Sequence, residues 1–217
     1  MTKKSSFMVS VLGLLVVFLM TGTALAANKS GDPVAGKDKA ALCAGCHGDD
    51  GNSFTADFPR LAGQYESYIV KQVRDFQSGG RANNDTMSGM AMTIASVQDA
   101  KDIGAFFAKQ KMAKDPLTKI NKKLAAKGEK LFKNGNPKSG VYGCINCHGD
   151  RGKGMSATVS QFPKIGGQHR DYIIKNLTDF KGGARSNDPA GMMAAIAKKL
   201  SDKEIKAVAE YLSAQLP

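Results

Sequence analysis

Two apolar stripes recur along the chain, one in each half. Near the C-terminus Ile205, Val208, Ala209 and Leu212 fall on one face of a helix, spaced three and four apart. Ile103, Phe106 and Phe107 make the matching stripe roughly a hundred residues earlier. Each stripe follows a capping residue. Ser201-Asp202-Lys203-Glu204 fits a capping box, and Ser96 with Asp99 is a weaker version. Upstream, the pattern predicts helices over Gln64–Gln77 and Gln168–Lys181, closed by Gly79-Gly80 and Gly182-Gly183. Asp32-Pro33 reads as a further helix start with Pro in the first turn, running up to Cys43. A basic helix is expected from Lys119 to Lys133. No segment alternates convincingly as a strand does, so the predicted class is all-α.

The first 26 residues stand apart. Lys3 and Lys4 give a basic start, Val9–Met20 is an apolar run, and Ala24-Leu25-Ala26 is a small-residue cleavage site. The run is too short to span a bilayer comfortably. Residues 1–26 are therefore expected to be a cleaved signal peptide, with the mature chain starting near Ala27 in the bacterial periplasm. No Cys follows the cleavage site to carry a lipid.

The remainder repeats itself. Cys43-Ala44-Gly45-Cys46-His47-Gly48-Asp49 matches Cys144-Ile145-Asn146-Cys147-His148-Gly149-Asp150. Phe58-Pro59-Arg60-Leu61-Ala62-Gly63-Gln64 matches Phe162-Pro163-Lys164-Ile165-Gly166-Gly167-Gln168. Tyr68, Asp75, Phe76 and Arg81 then match Tyr172, Asp179, Phe180 and Arg185 without a gap. Asn84-Asp85 and Asn187-Asp188 follow, each leading into a Met-rich stretch. Such self-similarity marks a duplicated domain. The expected domains are 27–115 and 116–217, joined by a linker over Lys111–Thr118 that Asp115-Pro116 breaks.

Composition changes the picture at one point. The chain is 42% hydrophobic and 7% aromatic with no Trp, a thin supply for two separate cores. Small domains in that position draw on a disulfide, a metal or a cofactor, and the Cys and His placement decides which. Cys-x-x-Cys-His is the sign of covalent haem attachment. Two Cys three apart match the two vinyl groups, and the His that follows sits beneath the iron. A redox disulfide would call for a βαβ setting, which is missing. A four-Cys zinc site would need pairs that here lie far apart in a duplicated chain. Cys43, Cys46, Cys144 and Cys147 are thus expected to bind two haem c groups, with His47 and His148 as proximal iron ligands. One His remains, His169, at a helix start, and it reads as an exposed or capping residue. Met is then the expected sixth ligand, since its thioether suits electron-carrying haem. Met87 and Met193 are chosen, with Met90 and Met192 next; Met112 and Met155 are bystanders, and the other Met residues are core filler.

The paired haem motifs, the Phe-Pro-x-x-x-Gly-Gln stretches and the Asn-Asp-then-Met segments resemble the cytochrome c4 family across essentially the whole mature chain. The resemblance implies two class I cytochrome c domains related by a pseudo-two-fold axis and His/Met ligation at both haems. It implies that the carbonyls of Pro59 and Pro163 orient the proximal His rings. It also implies electron transfer toward terminal oxidases, with a quinol-cytochrome c reductase-type donor. The family's Met-Met-Ser-x-Met pattern is one Met short in the N-terminal copy, Met87-Ser88-Gly89-Met90. The alternative is a di-haem enzyme, thiosulfate dehydrogenase-like or peroxidase-like. The first needs an axial Cys and the second a spare His in the N-terminal domain; this chain offers neither.

Charge points to partners. Residues 27–115 carry 11 Lys and Arg against 11 Asp and Glu, whereas 116–217 carry 18 against 8. Export argues against nucleic acid. The basic C-terminal domain is expected to face an acidic docking surface or an anionic membrane surface.

Overall fold

A computed structural model describes residues 30–114, 119–158 and 162–216. The expected leader (1–26), the mature start near Ala27 and residues 115–118 of the expected linker, with the domain boundary, lie outside the described residues. In the N-terminal half the elements are α1 (Pro33–Lys39), α2 (Ala41–His47), α3 (Glu66–Gln77), α4 (Asp85–Met92) and α5 (Val97–Lys109). In the C-terminal half they are α6 (Lys122–Asn134), α7 (Ile145–His148), α8 (Arg170–Gly182), α9 (Met192–Lys199) and α10 (Asp202–Ser213). The class is all-α, as expected; the described residues hold only an isolated antiparallel bridge between Asn136 and Val141.

Local chemistry sets the boundaries. Asp32 accepts the Val34 and Ala35 N–H groups at the start of α1, and Ser96 and Ser201 cap α5 and α10, the latter with the full capping box. The helix expected from Pro33 to Cys43 breaks at Ala40, whose side chain the core buries, so the Cys and His residues occupy a helix of their own. α3 and α8 begin two residues later than expected. Gln64 and Gln168 turn their side chains back to accept the N–H of Tyr65 and His169 (both 3.0 Å), which holds these glutamines outside the helices. The Met-rich stretches form short helices, α4 and α9, that the apolar spacing did not disclose.

Each half has its own core. One gathers Ile69, Val73, Phe76, Ile103 and Phe107; the other gathers Phe132, Ile173, Ile205, Val208 and Leu212. In both, the first and last helices cross at a glycine. A methyl group on Gly36 would lie 1.9 Å from the Asp102 carbonyl oxygen, and one on Gly128 the same distance from that of Ala207. Only hydrogen fits at these crossings. The α1–α5 crossing is further tied by Asp102, which accepts the Asp32 N–H (2.8 Å) and pairs with Lys39 (2.5 Å). The backbone N–H first and the ammonium second hold the Asp102 carboxyl down at about 2.

The two halves meet through reciprocal polar contacts. The Gln168 amide bonds the Arg60 backbone N–H and carbonyl (2.8 and 3.0 Å), and the Gln64 amide bonds those of Lys164 (3.2 and 2.7 Å). Asn83 donates to Asp179 (2.6 Å) and Asn187 to Asp75 (2.5 Å). Lys71 donates to the Asn187 carbonyl and Lys175 to that of Asn83. Each contact has a counterpart 104 residues on, the signature of a pseudo-two-fold interface.

His169 corrects the sequence reading. It stands at the start of α8 but makes no capping bond through its side chain, and it is only 5% exposed. Its Nε2 lies 2.8 Å from Ser53 Oγ and 3.2 Å from the Ser53 carbonyl. Ser53 Oγ already donates to the Phe58 carbonyl (2.6 Å), so Nε2 carries the proton and donates. The reason is the duplication: position 169 is the counterpart of Tyr65, whose hydroxyl makes the same kind of crossing contact, to the Lys153 carbonyl (3.0 Å).

The glycine crossing yields a direct test. Gly128→Ala should lower stability by about 1–3 kcal/mol through overpacking, while Gly182→Ala, with open space around it, should be neutral or stabilising. Denaturant midpoints of the haem-loaded protein report both; equal midpoints for wild type and Gly128→Ala would contradict the crossing geometry.

Candidate functional site

In the N-terminal half Cys43, Cys46 and His47 lie along α2; in the C-terminal half Cys144 caps α7, which carries Cys147 and His148. Cys43 and Cys144 are half-buried against the two cores, whereas Cys46 and Cys147 are exposed. No disulfide joins any of the four. Burial raises the Cys43 pKa and pushes Cys144 up to about 11, which is the reverse of a reactive thiolate. Among the described residues no three His, Cys, Asp or Glu side chains converge as a metal-ion site. Disulfide-redox and zinc readings both lose their footing here.

The two imidazoles are placed alike. His47 and His148 are each 6% exposed. His47 Nδ1 lies 2.8 Å from the Pro59 carbonyl oxygen, and His148 Nδ1 lies 3.0 Å from that of Pro163. A carbonyl only accepts, so Nδ1 carries the proton in both rings and Nε2 keeps its lone pair for iron. Burial lowers both pKa values, partly offset by the carbonyl bond, so the rings stay neutral as ligation requires. The different spacings, twelve and fifteen residues, reach the same geometry. In the second copy the Met155 N–H returns to the Phe162 carbonyl (3.4 Å).

The Met residues sort by register. Ala91 and Ala197 are fully buried, and each accepts a bond from a core-facing residue three on, Ile94 and Leu200. Counting back four residues from each pairs Met87 with Met193. The same register pairs Met90 with Ile196 and Met192 with Thr86, positions where only one copy has a thioether. Met87 packs on the N-terminal core, and Met193 is half-buried, while Met192 is 40% and Met92 67% exposed. Met155 is 57% exposed, as expected of a bystander. The residues present thus fit a haem: two thiols at vinyl spacing, a neutral imidazole with a free Nε2, and a thioether, repeated twice.

Sequence reasoning overlooked the interface residues, above all Gln64, Gln168, Arg81, Arg185 and His169. Their signal was available. Gln64 and Arg81 recur as Gln168 and Arg185 at a fixed offset of 104, flanking α3 and α8, which marks a face that meets its own counterpart.

Comparison with known proteins agrees. The cytochrome c family model matches residues 34–111 and 125–215. Cytochrome c4 of Thiocapsa roseopersicina is 44% identical over 195 residues, covering 88% of this chain and 96% of the relative. A thiosulfate dehydrogenase electron acceptor of Thiomonas intermedia is 37% identical over 182 residues, covering 83% and 82%. The crystal structure of reduced recombinant cytochrome c4 from Pseudomonas stutzeri matches with a TM-score of 0.78 at 41% identity, covering 85% of this chain and 99% of that one. Two tandem cytochrome c domains define a di-haem electron-transfer cytochrome. The chain belongs to the cytochrome c4 family, and it binds two covalent haem c groups.

Mass spectrometry of the purified protein should show two haem additions that survive acid-acetone extraction. Replacing Cys144 and Cys147 with Ser should remove one of them. A single addition in the wild type, or haem that extracts freely, would contradict the duplicated site.

Proposed function

We propose that the protein shuttles single electrons through the periplasm in a respiratory chain, toward a terminal oxidase, without a substrate of its own. The observation that carries this reading is the pinned imidazole in each domain. Haem supplies reversible one-electron change at iron; the chain supplies ligands, burial and orientation. Cys43 and Cys46 hold one haem and Cys144 and Cys147 the other. His47 and His148 present Nε2 to the iron, with ring orientation fixed by Pro59 and Pro163. Met87 and Met193 would supply the second iron ligand in each domain. With a His and a Met held for each iron, a substrate would have to displace a thioether to reach it, which favours a carrier over an enzyme.

Replacing Met193 with Ala should remove half of the long-wavelength sulfur-to-iron band of the oxidised protein and lower that haem's potential, and Met87→Ala should remove the other half. If Met192→Ala or Met90→Ala has this effect instead, the register assignment fails.

The partners follow from charge. Lys119, Lys122, Lys123, Lys127, Lys130 and Lys133 are all exposed on and before α6, and Lys133 pairs with Glu129 (2.7 Å), the one ion pair these six make among the described residues. Residues 27–115 carry as many acidic as basic side chains, 11 of each. We infer that the C-terminal domain docks an acidic protein surface, or the anionic membrane surface beside one, while the N-terminal domain meets a less charged partner. A quinol-cytochrome c reductase-type complex is the proposed donor. A second donor is favoured by a named relative, the thiosulfate dehydrogenase electron acceptor: a thiosulfate-oxidising enzyme could feed this chain while the chain itself remains the carrier.

Second-order electron-transfer rates with a purified oxidase should fall as salt rises, and a Lys122→Glu, Lys123→Glu, Lys127→Glu variant should lose most of that salt dependence. Rates indifferent to both salt and substitution would assign the basic face to solubility alone.

A further inference from the structure

The proline carbonyl that holds each proximal histidine is one end of a planar peptide group, and the other end of that group leads into the opposite domain. The peptide between Pro59 and Arg60 accepts from His47 Nδ1 at its oxygen (2.8 Å) and donates its N–H to Gln168 Oε1 (2.8 Å). The peptide between Pro163 and Lys164 accepts from His148 Nδ1 (3.0 Å) and donates its N–H to Gln64 Oε1 (3.2 Å). Each histidine is therefore joined to a glutamine of the other domain through a single amide.

Both glutamines are locked in the orientation this needs. Each Oε1 also accepts the N–H of the residue after it, Tyr65 or His169 (both 3.0 Å). Each Nε2 donates to a carbonyl across the interface, that of Lys164 from Gln64 (2.7 Å) and that of Arg60 from Gln168 (3.0 Å). An amide flipped end for end would set donor against donor and acceptor against acceptor. On the N-terminal side the grip has a second point. Ser53 Oγ, which takes the bond from His169 Nε2 (2.8 Å), donates to the carbonyl of Phe58, just before Pro59 (2.6 Å). The C-terminal domain thus reaches the backbone on either side of the proline that orients His47.

Hydrogen bonds in series strengthen one another. An amide whose N–H donates carries more negative charge on its oxygen, a gain of about 10–30% per bond. A stronger bond at Nδ1 makes the imidazole a better electron donor at Nε2, and a richer donor favours oxidised iron. We propose that Gln168 and Gln64 are crossed positioning residues, each setting the donor strength of the proximal histidine, and with it the reduction potential, of the haem in the other domain. The proposal rests on the haem-site reading above.

Gln168→Met and Gln64→Met keep the side chain's length and remove its hydrogen bonds. The experiment uses protein whose mass shows two covalent haems, a separate check on the site reading. Nuclear magnetic resonance of the reduced protein should show the His47 Nδ1 proton moving upfield in Gln168→Met, and the His148 Nδ1 proton in Gln64→Met, as a weakened bond requires. Redox titration followed at each haem's own methyl resonances should show the N-terminal potential rising in Gln168→Met and the C-terminal potential rising in Gln64→Met. Each redox equilibrium should shift about three- to tenfold, the upper figure being ~59 mV for one electron. Gln168→Glu, which keeps the acceptor and adds charge to it, should instead lower the N-terminal potential. Ser67→Ala removes a different crossing bond, to the Ala157 carbonyl (2.6 Å), and should move neither proton and neither potential. Movement in Ser67→Ala, equal movement of both haems in a glutamine variant (the sign of a loosened interface), or no movement at all overturns the crossed assignment.

Discussion

One hydrogen bond in each domain governs the rest: a proline carbonyl accepting from the Nδ1 of the histidine that closes the Cys-x-x-Cys-His run. It decides the tautomer, and the tautomer leaves Nε2 its lone pair for a metal. The bond closes over twelve residues in one copy and fifteen in the other, to 2.8 and 3.0 Å. The same bond forms in both domains although the second connection carries three more residues. The surrounding fold supports the same arrangement. The glycine crossings set the first and last helices in close contact.

The interface follows a different logic. It is polar where the cores are apolar, and most of its bonds occur twice. A typical internal hydrogen bond contributes only about 0.5–1.5 kcal/mol net, so the network's value lies in directionality as much as in strength. The glutamine and asparagine side chains meet backbone groups and carboxylates in one register, which fixes one domain against the other. Fixed distance and orientation between two redox centres is what electron exchange between them requires. The departures from symmetry are informative: His169 stands where the first copy has Tyr65, and the charge excess is confined to the second copy.

Much of this was legible in the sequence, and the reasons are specific. Cys43, Cys46, His47 and their counterparts could be read because covalent attachment demands a fixed short spacing. The helix over residues 202–213 was legible from its apolar period and its capping box, and that over 66–77 from the glycine pair that follows it. α4 and α9 were not, because Met, Ala and Gly populate all sides of so short a helix and no stripe emerges. The break at Ala40 was hidden because alanine is as good inside a helix as at its end. His169 was misread because a lone polar residue at a helix start looks the same whether water or a second domain covers it. The register pairing Met87 with Met193 needed burial, which sequence alone does not show: Ala95 adds one residue before the last helix of the first copy and blurs the alignment.

The central claim is that both irons are six-coordinate through protein side chains, which makes the molecule a carrier. Adding carbon monoxide to the fully reduced, haem-loaded protein at neutral pH tests it most directly. The account predicts an unchanged Soret band at both haems, because His47, Met87, His148 and Met193 leave no open position. A photolabile carbon monoxide adduct at either haem would contradict it and restore an enzymatic or gas-binding reading.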